Sequence, residues 1–122
     1  MSGQDLKQIT KIVKALADEN RIRIICLLKF KKDLCVCEIT SIIGLSQPTI
    51  SSHLKLLENA GLIESYKDGL WVNYNIAADI DSYSGKFIQT LCKSLGNDRQ
   101  IKSDEENAKK ISRDIICKKK AC

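Results

Sequence analysis

The chain has 122 residues, of which 43% are apolar, and a formal net charge of +5. This length predicts one domain with a modest core, and the apolar content excludes an extensively disordered chain. No apolar run approaches the roughly 20 residues that cross a bilayer, and the first residues lack a secretory signal, so we expect a cytoplasmic protein without a membrane partner. The positive charge favours a polyanionic partner such as nucleic acid.

Two helices are predicted in the first quarter of the chain. Apolar residues recur at helical spacing and predict a first helix over residues 5–17. They are Leu6, Ile9, Val13, Leu16 and Ala17. This stripe can face a partner chain or the protein's own core, and the spacing leaves both open. Asp18 is the expected N-cap of a second helix, in which Cys26 lies among apolar residues and is assigned to the core.

Two short helical patterns with a tight break between them occupy residues 34–62. The first is expected to begin at Asp33 or Leu34 and to end at Gly44, because glycine is favoured at a tight helix C-terminus. The second opens at Ser46, a candidate N-cap, and has a proline in its first turn. Two helices joined in this way predict a helix-turn-helix.

A β-hairpin is predicted next, around Asp68-Gly69. This pair favours a two-residue turn, since both of its positions need positive φ. The residues expected to point inward are Leu70, Val72, Tyr74 and Ile76. Those expected to point outward are Trp71, Asn73 and Asn75. A hairpin directly after the second helix makes the predicted fold a winged helix-turn-helix, mainly α with a β-hairpin wing.

Two further helices complete the prediction. The fifth is expected over residues 79–95. Its apolar face consists of Ile80, Phe87, Ile88, Leu91 and Leu95. The last is expected from Asp104 through Ile116, followed by a short basic tail. We therefore divide the chain into a DNA-binding and dimerisation domain over residues 1–100 and a C-terminal helix with a cysteine-bearing tail over residues 101–122.

The second helix of the predicted helix-turn-helix has a polar face suited to DNA. Gln can pair bidentately with adenine, Ser and Thr can bond base edges, and Lys and His can reach phosphates. The candidate DNA-binding residues are Gln47, Pro48, Thr49, Ser51, Ser52, His53 and Lys55, with Lys67 at the wing tip. The alternative is an ordinary solvated helix face, but the turn, cap and wing together favour double-stranded DNA. A homodimer through the first and fifth helices is expected, because one module reads few base pairs.

Cys35 and Cys37 are separated by one residue at the start of the third helix. In an intact α-helix such side chains diverge by about 200°, whereas in an extended segment they point to the same side. Both sulfurs can therefore hold one ion only where the helix start is frayed, and ligation would distort this helix. The helix N-terminus and the nearby Lys31 and Lys32 favour thiolates, which select soft ions over magnesium or calcium.

A trigonal thiolate site needs a third sulfur. The candidates are Cys92, Cys117 and Cys122, from the same chain or its partner. The two tail cysteines are preferred because they lie on polar sequence, and Cys92 is assigned to the core. The predicted metal-site residues are therefore Cys35, Cys37, Cys117 and Cys122.

Four stretches of this sequence together resemble one family. They are ALADENRIRIICLL, DLCVCEI, SQPTISSHLKLLENAGLI and KDGLWVNYNI, which occur in this order within about residues 8–95. The family is that of the arsenical-resistance repressors, ArsR/SmtB. The resemblance implies a homodimeric winged-helix repressor that leaves its operator on binding a metal or metalloid. The LCVCE stretch is similar to the arsenite-sensing motif of the arsenic-responsive branch, in which thiolates bind trivalent arsenic or antimony.

The chain departs from some branches of this family. The arsenic-responsive branch often has a third cysteine where this chain has Thr40, and other members use C-terminal thiols, which Cys117 and Cys122 match. The zinc-sensing branch uses Asp and His ligands on the fifth helix, where this chain has no histidine, and the cadmium/lead branch uses N-terminal cysteines, of which none precedes Cys26. The resemblance implies As(III), Sb(III) or another soft ion as inducer, with no permanently bound cofactor.

Two other functions remain open on the same fold. A repressor that senses thiol redox state or persulfide would use two cysteines. A metal-trafficking or sequestering protein would keep the winged-helix shape without sequence-specific binding to its own promoter. Catalysis has little support, since the one histidine, His53, lies on the predicted reading helix and no catalytic constellation recurs in a loop. We therefore expect that the protein is not an enzyme.

Overall fold

The computed structural model describes residues 6–77 and 83–111 of the chain. The helices in these ranges are α1 (Leu6–Ala15), α2 (Glu19–Phe30), α3 (Val36–Ile43), α4 (Gln47–Asn59), α5 (Tyr83–Ser94) and α6 (Arg99–Lys110). The strands are β1 (Leu34–Cys35), β2 (Ile63–Asp68) and β3 (Trp71–Ile76), which form one antiparallel sheet in the order β1-β3-β2. The predicted mainly helical fold with a β-wing is confirmed, and the wing has a third strand. Within the described ranges, no helix is long and apolar enough to cross a membrane.

The junction between α1 and α2 is fixed by hydrogen bonds. The N–H of Ala17 bonds to the Lys14 carbonyl at 3.2 Å, so that α1 ends in a tight turn after Ala15, shortly before its predicted end. Asp18 is extended, and its Oδ1 accepts from the backbone N–H of Arg21 at 3.1 Å. The predicted N-cap of α2 is therefore confirmed.

The two helices α3 and α4 form the predicted helix-turn-helix, with a turn over residues 44–46. Gly44 has φ +87°, a conformation that glycine adopts without strain, and its N–H bonds to the Thr40 carbonyl at 2.9 Å. Ser46 caps α4 as predicted, because its Oγ accepts from the backbone N–H of Thr49 at 3.3 Å. Both helices bury one apolar face: Ile39, Ile42, Ile43, Ile50, Leu54 and Leu57.

The third helix begins at Val36, so the prediction of a start at Asp33 or Leu34 was wrong. Asp33 has φ +60°, and its Oδ1 accepts from the Tyr66 hydroxyl at 2.7 Å and from Asn75 Nδ2 at 2.9 Å. These bonds to both wing strands hold the segment extended, so that β1 pairs with β3 before the helix starts. Contacts between distant segments thus override the local helical pattern.

The wing turn is shifted by one residue from the predicted turn. Asp68 pairs with Trp71, so the two turn residues are Gly69 and Leu70. Of these two, Gly69 alone has a positive φ, +65°, which is the pattern of a turn with glycine at its first central position. Leu70 therefore lies at the wing tip, where it is 74% exposed and not inward as predicted.

Strand β3 lies at the centre of the sheet, and this position decides which of its side chains are covered. Tyr74 and Ile76 pack against the main core as predicted. Asn73, expected outside, is only 2% exposed. Trp71, also expected outside, packs against the two cysteines at the start of α3. A two-stranded hairpin was predicted, whereas the pairing of β1 with β3 places Cys35 and the start of α3 against the side chain of Trp71.

The last helix begins earlier than predicted and packs against α2 and α3. Asp98 is its N-cap, since its Oδ2 accepts from the Ile101 N–H at 3.1 Å. Asp104, the predicted start, is instead buried within α6, where its two oxygens accept from Nε and Nη2 of Arg23 at 2.9 and 2.8 Å. The hydrogen bond to Asp104 holds the pKa of Arg23 above its usual value.

Some predicted features fall outside the described residues. They include the start of the fifth helix at Asp79 and Ile80, and the positions of Ile115 and Ile116 in the last helix. From Tyr83 onward α5 follows the prediction, with Ile88 buried on its apolar face. The boundary drawn at residue 100 falls inside α6, and the division of the chain there stays a prediction.

We expect Asp104→Asn to lower the free energy of unfolding by about 3 kcal/mol, because it leaves the largely buried Arg23 charge uncompensated. Urea unfolding at a fixed protomer concentration measures this change. The control is Glu106→Gln, since the ion pair of Glu106 with Lys109 is exposed and contributes under about 1 kcal/mol. Equal effects of the two substitutions would contradict a structural role of the Arg23–Asp104 pair.

Candidate nucleic-acid interface and thiol sites

The α4 helix has one face in the core and one polar face at the surface. Ile50, Leu54 and Leu57 are its buried residues. The predicted DNA-binding residues Gln47, Pro48, Thr49, Ser51, Ser52 and Lys55 are exposed, and His53 is half-buried. Lys67 is exposed on β2, where it pairs with Val72 near the wing turn. The helix and the wing therefore present hydrogen-bonding and positively charged groups of the kinds that contact base edges and phosphates.

Arg21 is a residue of this region that the sequence analysis missed. Its Nη1 lies 3.2 Å from Nδ1 of His53. Its Nε and Nη2 donate to the carbonyls of Ala15 and Lys14 at the end of α1, at 2.7 and 3.3 Å. In the sequence, an arginine in the first turn of a helix indicates a solvated charge, and no local signal links it to a histidine on α4.

Cys35 and Cys37 lie together in a small buried cluster at the N-terminus of α3. Cys35 is the N-cap residue, with φ −90° and ψ 170°, and Cys37 is in the first helical turn. Because Cys35 is extended, the two side chains come together while α3 is intact. The expectation that both sulfurs hold one ion only where the helix start is frayed stays a prediction. Trp71 packs against the pair.

Hydrogen bonds hold the surroundings of these thiols in place. The N–H of Cys35 donates to Oε1 of the buried Glu38 at 3.0 Å. Nζ of Lys31 donates to the Ala108 carbonyl at 2.9 Å, so this ammonium binds the C-terminal part of α6. Cys37 is disulfide-bonded.

The third sulfur of the predicted metal site is not among the described residues near α3. Cys117 and Cys122 both lie outside the described ranges. Thr40 stands one helical turn after Cys37, and its Oγ1 is buried without a hydrogen-bond partner in the part of the chain that the structure describes. Over residues 6–77 and 83–111, no group of three or more His, Cys, Asp or Glu side chains is placed to hold a metal ion.

A second pair of cysteines joins α2 to α5. Cys26 is buried, as predicted, but it also lies beside the half-buried Cys92. Both residues line a cavity of about 290 Å³, together with Lys29 and Glu105. Sequence analysis assigned each cysteine separately to the core, because nothing local indicates that these two apolar faces meet.

The contact makes the two thiols chemically different. The hydrogen bond to Cys92, together with burial, raises the pKa of Cys26 far above its usual range. The hydrogen bond from Cys26, together with the positive charge of Lys29, holds the pKa of Cys92 below its usual value. Cys92 is therefore the thiol of the pair that ionises, and its thiolate is the nucleophile.

Comparison with known proteins identifies the family. Residues 18–65 match the family described as bacterial regulatory protein, arsR family. The chain is 41% identical over 78 residues to the arsenical resistance operon repressor of Escherichia coli K12, a match that covers 64% of this chain and 67% of that protein. It is 37% identical over 76 residues to a CadC homolog from Staphylococcus aureus, a cadmium resistance transcriptional regulatory protein, with 62% and 63% of the two chains covered.

A solved structure agrees with the fold. It is the homodimeric winged helix-turn-helix DNA-binding domain of a possible ArsR-family regulator from Mycobacterium bovis, with a TM-score of 0.65 at 26% identity. The match covers 79% of this chain and 91% of that one. The matches to the Escherichia coli and Staphylococcus aureus proteins cover about two thirds of the length of each of those proteins.

A winged helix-turn-helix with a polar surface on its second helix defines a DNA-binding transcriptional regulator. The chain belongs to the arsR family of bacterial regulatory proteins, as its four motifs predicted. The members of this family are regulators, so the prediction that the protein is not an enzyme is confirmed.

We expect iodoacetamide to modify Cys92 before Cys26 at pH 7, because the thiolate reacts and the lowered pKa of Cys92 raises its thiolate fraction. Cys26→Ala should slow the modification of Cys92, since it removes the hydrogen bond that stabilises this thiolate. Peptide mapping by mass spectrometry measures both rates. The Cys35→Ala variant is the control and should leave them unchanged. Faster modification of Cys26 than of Cys92 would show that the roles are reversed.

Proposed function

We propose that this protein is a homodimeric repressor that releases its operator when trivalent arsenic or antimony, or another thiophilic ion, binds to cysteine thiolates. The ligands are Cys35, Cys37 and a third sulfur from Cys117 or Cys122, and no cofactor is permanently bound. One observation carries the proposal: Cys35 and Cys37 pack together at the N-terminus of the helix that supports α4. The names of the relatives, which refer to arsenical and cadmium resistance, add support.

The chemistry of the pair suits a soft ion. Thiolate sulfur prefers soft ions to magnesium and calcium, and a helix N-terminus favours the thiolate form. The disulfide of Cys37 has to be reduced before this residue can act as a ligand. Cys35 is fully buried against Trp71, so an ion reaches its sulfur only when this packing opens. Binding is therefore coupled to a local change of structure.

Strand β1 couples this site to both parts of the DNA-binding surface. Cys35 is the last residue of β1 and also the N-cap of α3. Moving its sulfur toward a third ligand strains the bond of its N–H to Glu38 and its pairing with Asn73 of β3. Because α3 packs on α4 and β3 pairs with β2, a change at this residue displaces the reading helix and the wing together.

We assign α4 to the major groove of double-stranded operator DNA and the wing to the adjacent backbone. Exposure of the polar face of α4 supports this assignment. The contacting residues are Gln47, Pro48, Thr49, Ser51, Ser52, His53, Lys55 and Lys67. A repressor of this kind acts on bacterial DNA, and we therefore place the protein in the cytoplasm.

We assign the homodimer interface to α1 and α5. Large apolar side chains are exposed on both helices: Leu6 and Val13 on α1, Tyr83 and Phe87 on α5. The rings of Tyr83 and Phe87 lie against each other, with their centroids 6.2 Å apart. Burying these side chains against a second copy would remove apolar surface from water.

In this arrangement residues 1–100 bind DNA and dimerise, and residues 101–122 supply the tail thiols.

We expect arsenite to lower the operator affinity of the reduced protein at least about tenfold, a coupling of about 1.4 kcal/mol. Fluorescence anisotropy with a labelled promoter fragment measures the affinity. Cys35→Ser and Cys37→Ser should bind the fragment but lose the arsenite response. Cys92→Ser is the matched control and should keep it.

Thiolate-to-metal charge-transfer absorption reports loading in the same samples. Cys117→Ser and Cys122→Ser then identify the third ligand, because only the variant that removes this ligand should weaken the band. Protein that is fully loaded with arsenite and binds the fragment as tightly as empty protein would rule out the proposed inducer. Absence of specific binding by the empty protein would favour a sequestering role.

A second function, redox sensing by thiols, is favoured by the contact between Cys26 and Cys92. A hydroperoxide oxidises the Cys92 thiolate to a sulfenic acid, and its O–O bond breaks to release hydroxide or alkoxide. The Cys26 thiol then attacks this sulfur, which forms the disulfide and releases water. The new bond would link α2, which contacts α3 and α4, to α5, and would so change the angle of the reading helix.

Peroxide should then lower the operator affinity of the wild-type protein and of Cys35→Ser, but not of Cys92→Ser. Mass spectrometry should find a Cys26–Cys92 cross-link in the first two proteins. The same set of variants thus tests whether the arsenite response depends on Cys35 and Cys37 and the peroxide response on Cys92. A peroxide response that persists in Cys92→Ser would remove this second function.

A further inference from the structure

The guanidinium of Arg21 joins three helices at one point. Nε and Nη2 donate to the last two carbonyls of α1, those of Ala15 and Lys14, at 2.7 and 3.3 Å. Nη1 meets Nδ1 of His53, on α4, at 3.2 Å. The side chain is only 15% exposed. Because the donors of a guanidinium form a rigid planar fork, these contacts fix the ends of α1 and α2 relative to the middle of α4.

Asp18 holds this arginine in place. Its Oδ1 accepts from the backbone N–H of Arg21 at 3.1 Å, and its Oδ2 lies 4.0 Å from Arg21 Nη1. Burial acts to raise the pKa of Asp18, but the backbone N–H groups of Arg21 and Asn20 hold it below its usual value, so Asp18 is a carboxylate at neutral pH. The charge of Arg21 also lies at the C-terminus of α1, where the helix dipole favours a cation.

The contact with Arg21 decides which ring nitrogen of His53 donates outward. A guanidinium N–H can only donate, so Nδ1 of His53 is the acceptor. An imidazole that accepts at Nδ1 is neutral and carries its proton on Nε2. Among residues 6–77 and 83–111, Nε2 has no hydrogen-bond partner, and His53 follows the exposed Thr49 by one turn of α4. The free N–H thus belongs to the helix surface that we assign to DNA.

We propose that Arg21 is a positioning residue for DNA binding, which keeps His53 as a neutral Nε2–H donor to a backbone phosphate and fixes α4 relative to the end of α1. The proposal rests on the proposed DNA-binding face of α4. Since α1 carries apolar surface assigned to the dimer, this contact sets the angle between the dimer helix and the reading helix. That angle determines the distance between the two α4 helices of the dimer, and so the half-site spacing that the dimer accepts.

The slope of log affinity against log salt reports how many phosphates the protein neutralises with charged groups, so the loss of a neutral donor lowers the affinity and leaves the slope unchanged. His53→Asn keeps an acceptor near the position of Nδ1 and removes the Nε2 donor. We expect its affinity for the promoter fragment to fall about tenfold with an unchanged slope, while the preference for half-site spacing is unchanged. Arg21→Gln should lower the affinity as well, because His53 is no longer held in one tautomer, and it should also weaken the spacing preference.

Spacing is tested with a promoter fragment and a version with one inserted base pair between the half-sites. We expect the insertion to weaken wild-type binding at least about tenfold and Arg21→Gln binding less than about threefold. Arg99→Gln is the matched control, since it removes an equal charge from the exposed start of α6 and should behave as wild type in both measurements. Arg21→Lys, which keeps the charge but not the fork, replaces Arg21→Gln should that variant fail to fold.

The outcomes separate this inference from the proposed function. A merely structural role of Arg21 would lower overall affinity or stability and leave the spacing preference as in wild type, and this result would overturn the inference alone. A His53→Asn affinity equal to that of wild type would overturn the phosphate contact, and a slope reduced by about 0.9 would overturn the neutral state of His53. Wild-type protein that does not bind the promoter fragment specifically would instead remove the proposed function.

Discussion

The short pairing of β1 with β3 joins the wing to the start of the helix-turn-helix. An isolated two-stranded hairpin is at best marginally stable in water, and a third strand with a covered face supplies what it lacks. Asp33 anchors this strand by accepting bonds from Tyr66 of β2 and Asn75 of β3. Immediately after the strand, the chain enters α3. The positions of the wing and of α3 therefore depend on the same few residues.

This position gives Cys35 an unusual combination of roles. Ser, Thr, Asp and Asn are the preferred N-cap residues, and a thiol is a poorer hydrogen-bonding group. Glu38 compensates in part, because its carboxylate binds the N–H of Cys35. A local departure from the best capping chemistry, in a residue that is fully buried, is where a functional requirement is expected. In the proposed mechanism, that requirement is a thiol whose movement disturbs a strand and a helix together.

Helix α2 connects the remaining features of the molecule. It contacts α3, α4, β3, α5 and α6. Its polar and thiol side chains point to different neighbours: Arg21 to α1 and α4, Arg23 to α6 and Cys26 to α5. Its C-cap residue, Lys31, donates to a carbonyl in the C-terminal part of α6. A disulfide between α2 and α5 would therefore act on the helix that also supports α4. The two proposed signals, a soft ion at Cys35 and an oxidant at Cys92, reach the reading helix through different contacts.

The sequence by itself determined the helix-turn-helix, because its signals are local. The cap at Ser46, the glycine at residue 44 and the apolar spacing of Ile50, Leu54 and Leu57 each act within a few residues, and the structure has them as predicted. The polar face of α4 followed from the same periodicity.

Only the tertiary structure decided the features that depend on contacts between distant segments. Strand β1, the register of the wing turn, the pairing of Cys26 with Cys92 and the contact of Arg21 with His53 each need two segments to meet. Periodicity says which side of an element is buried, but not which element covers it. For that reason Cys26 and Cys92 were each assigned to the core and Arg21 was missed, and their contacts became visible only when the helices were packed together.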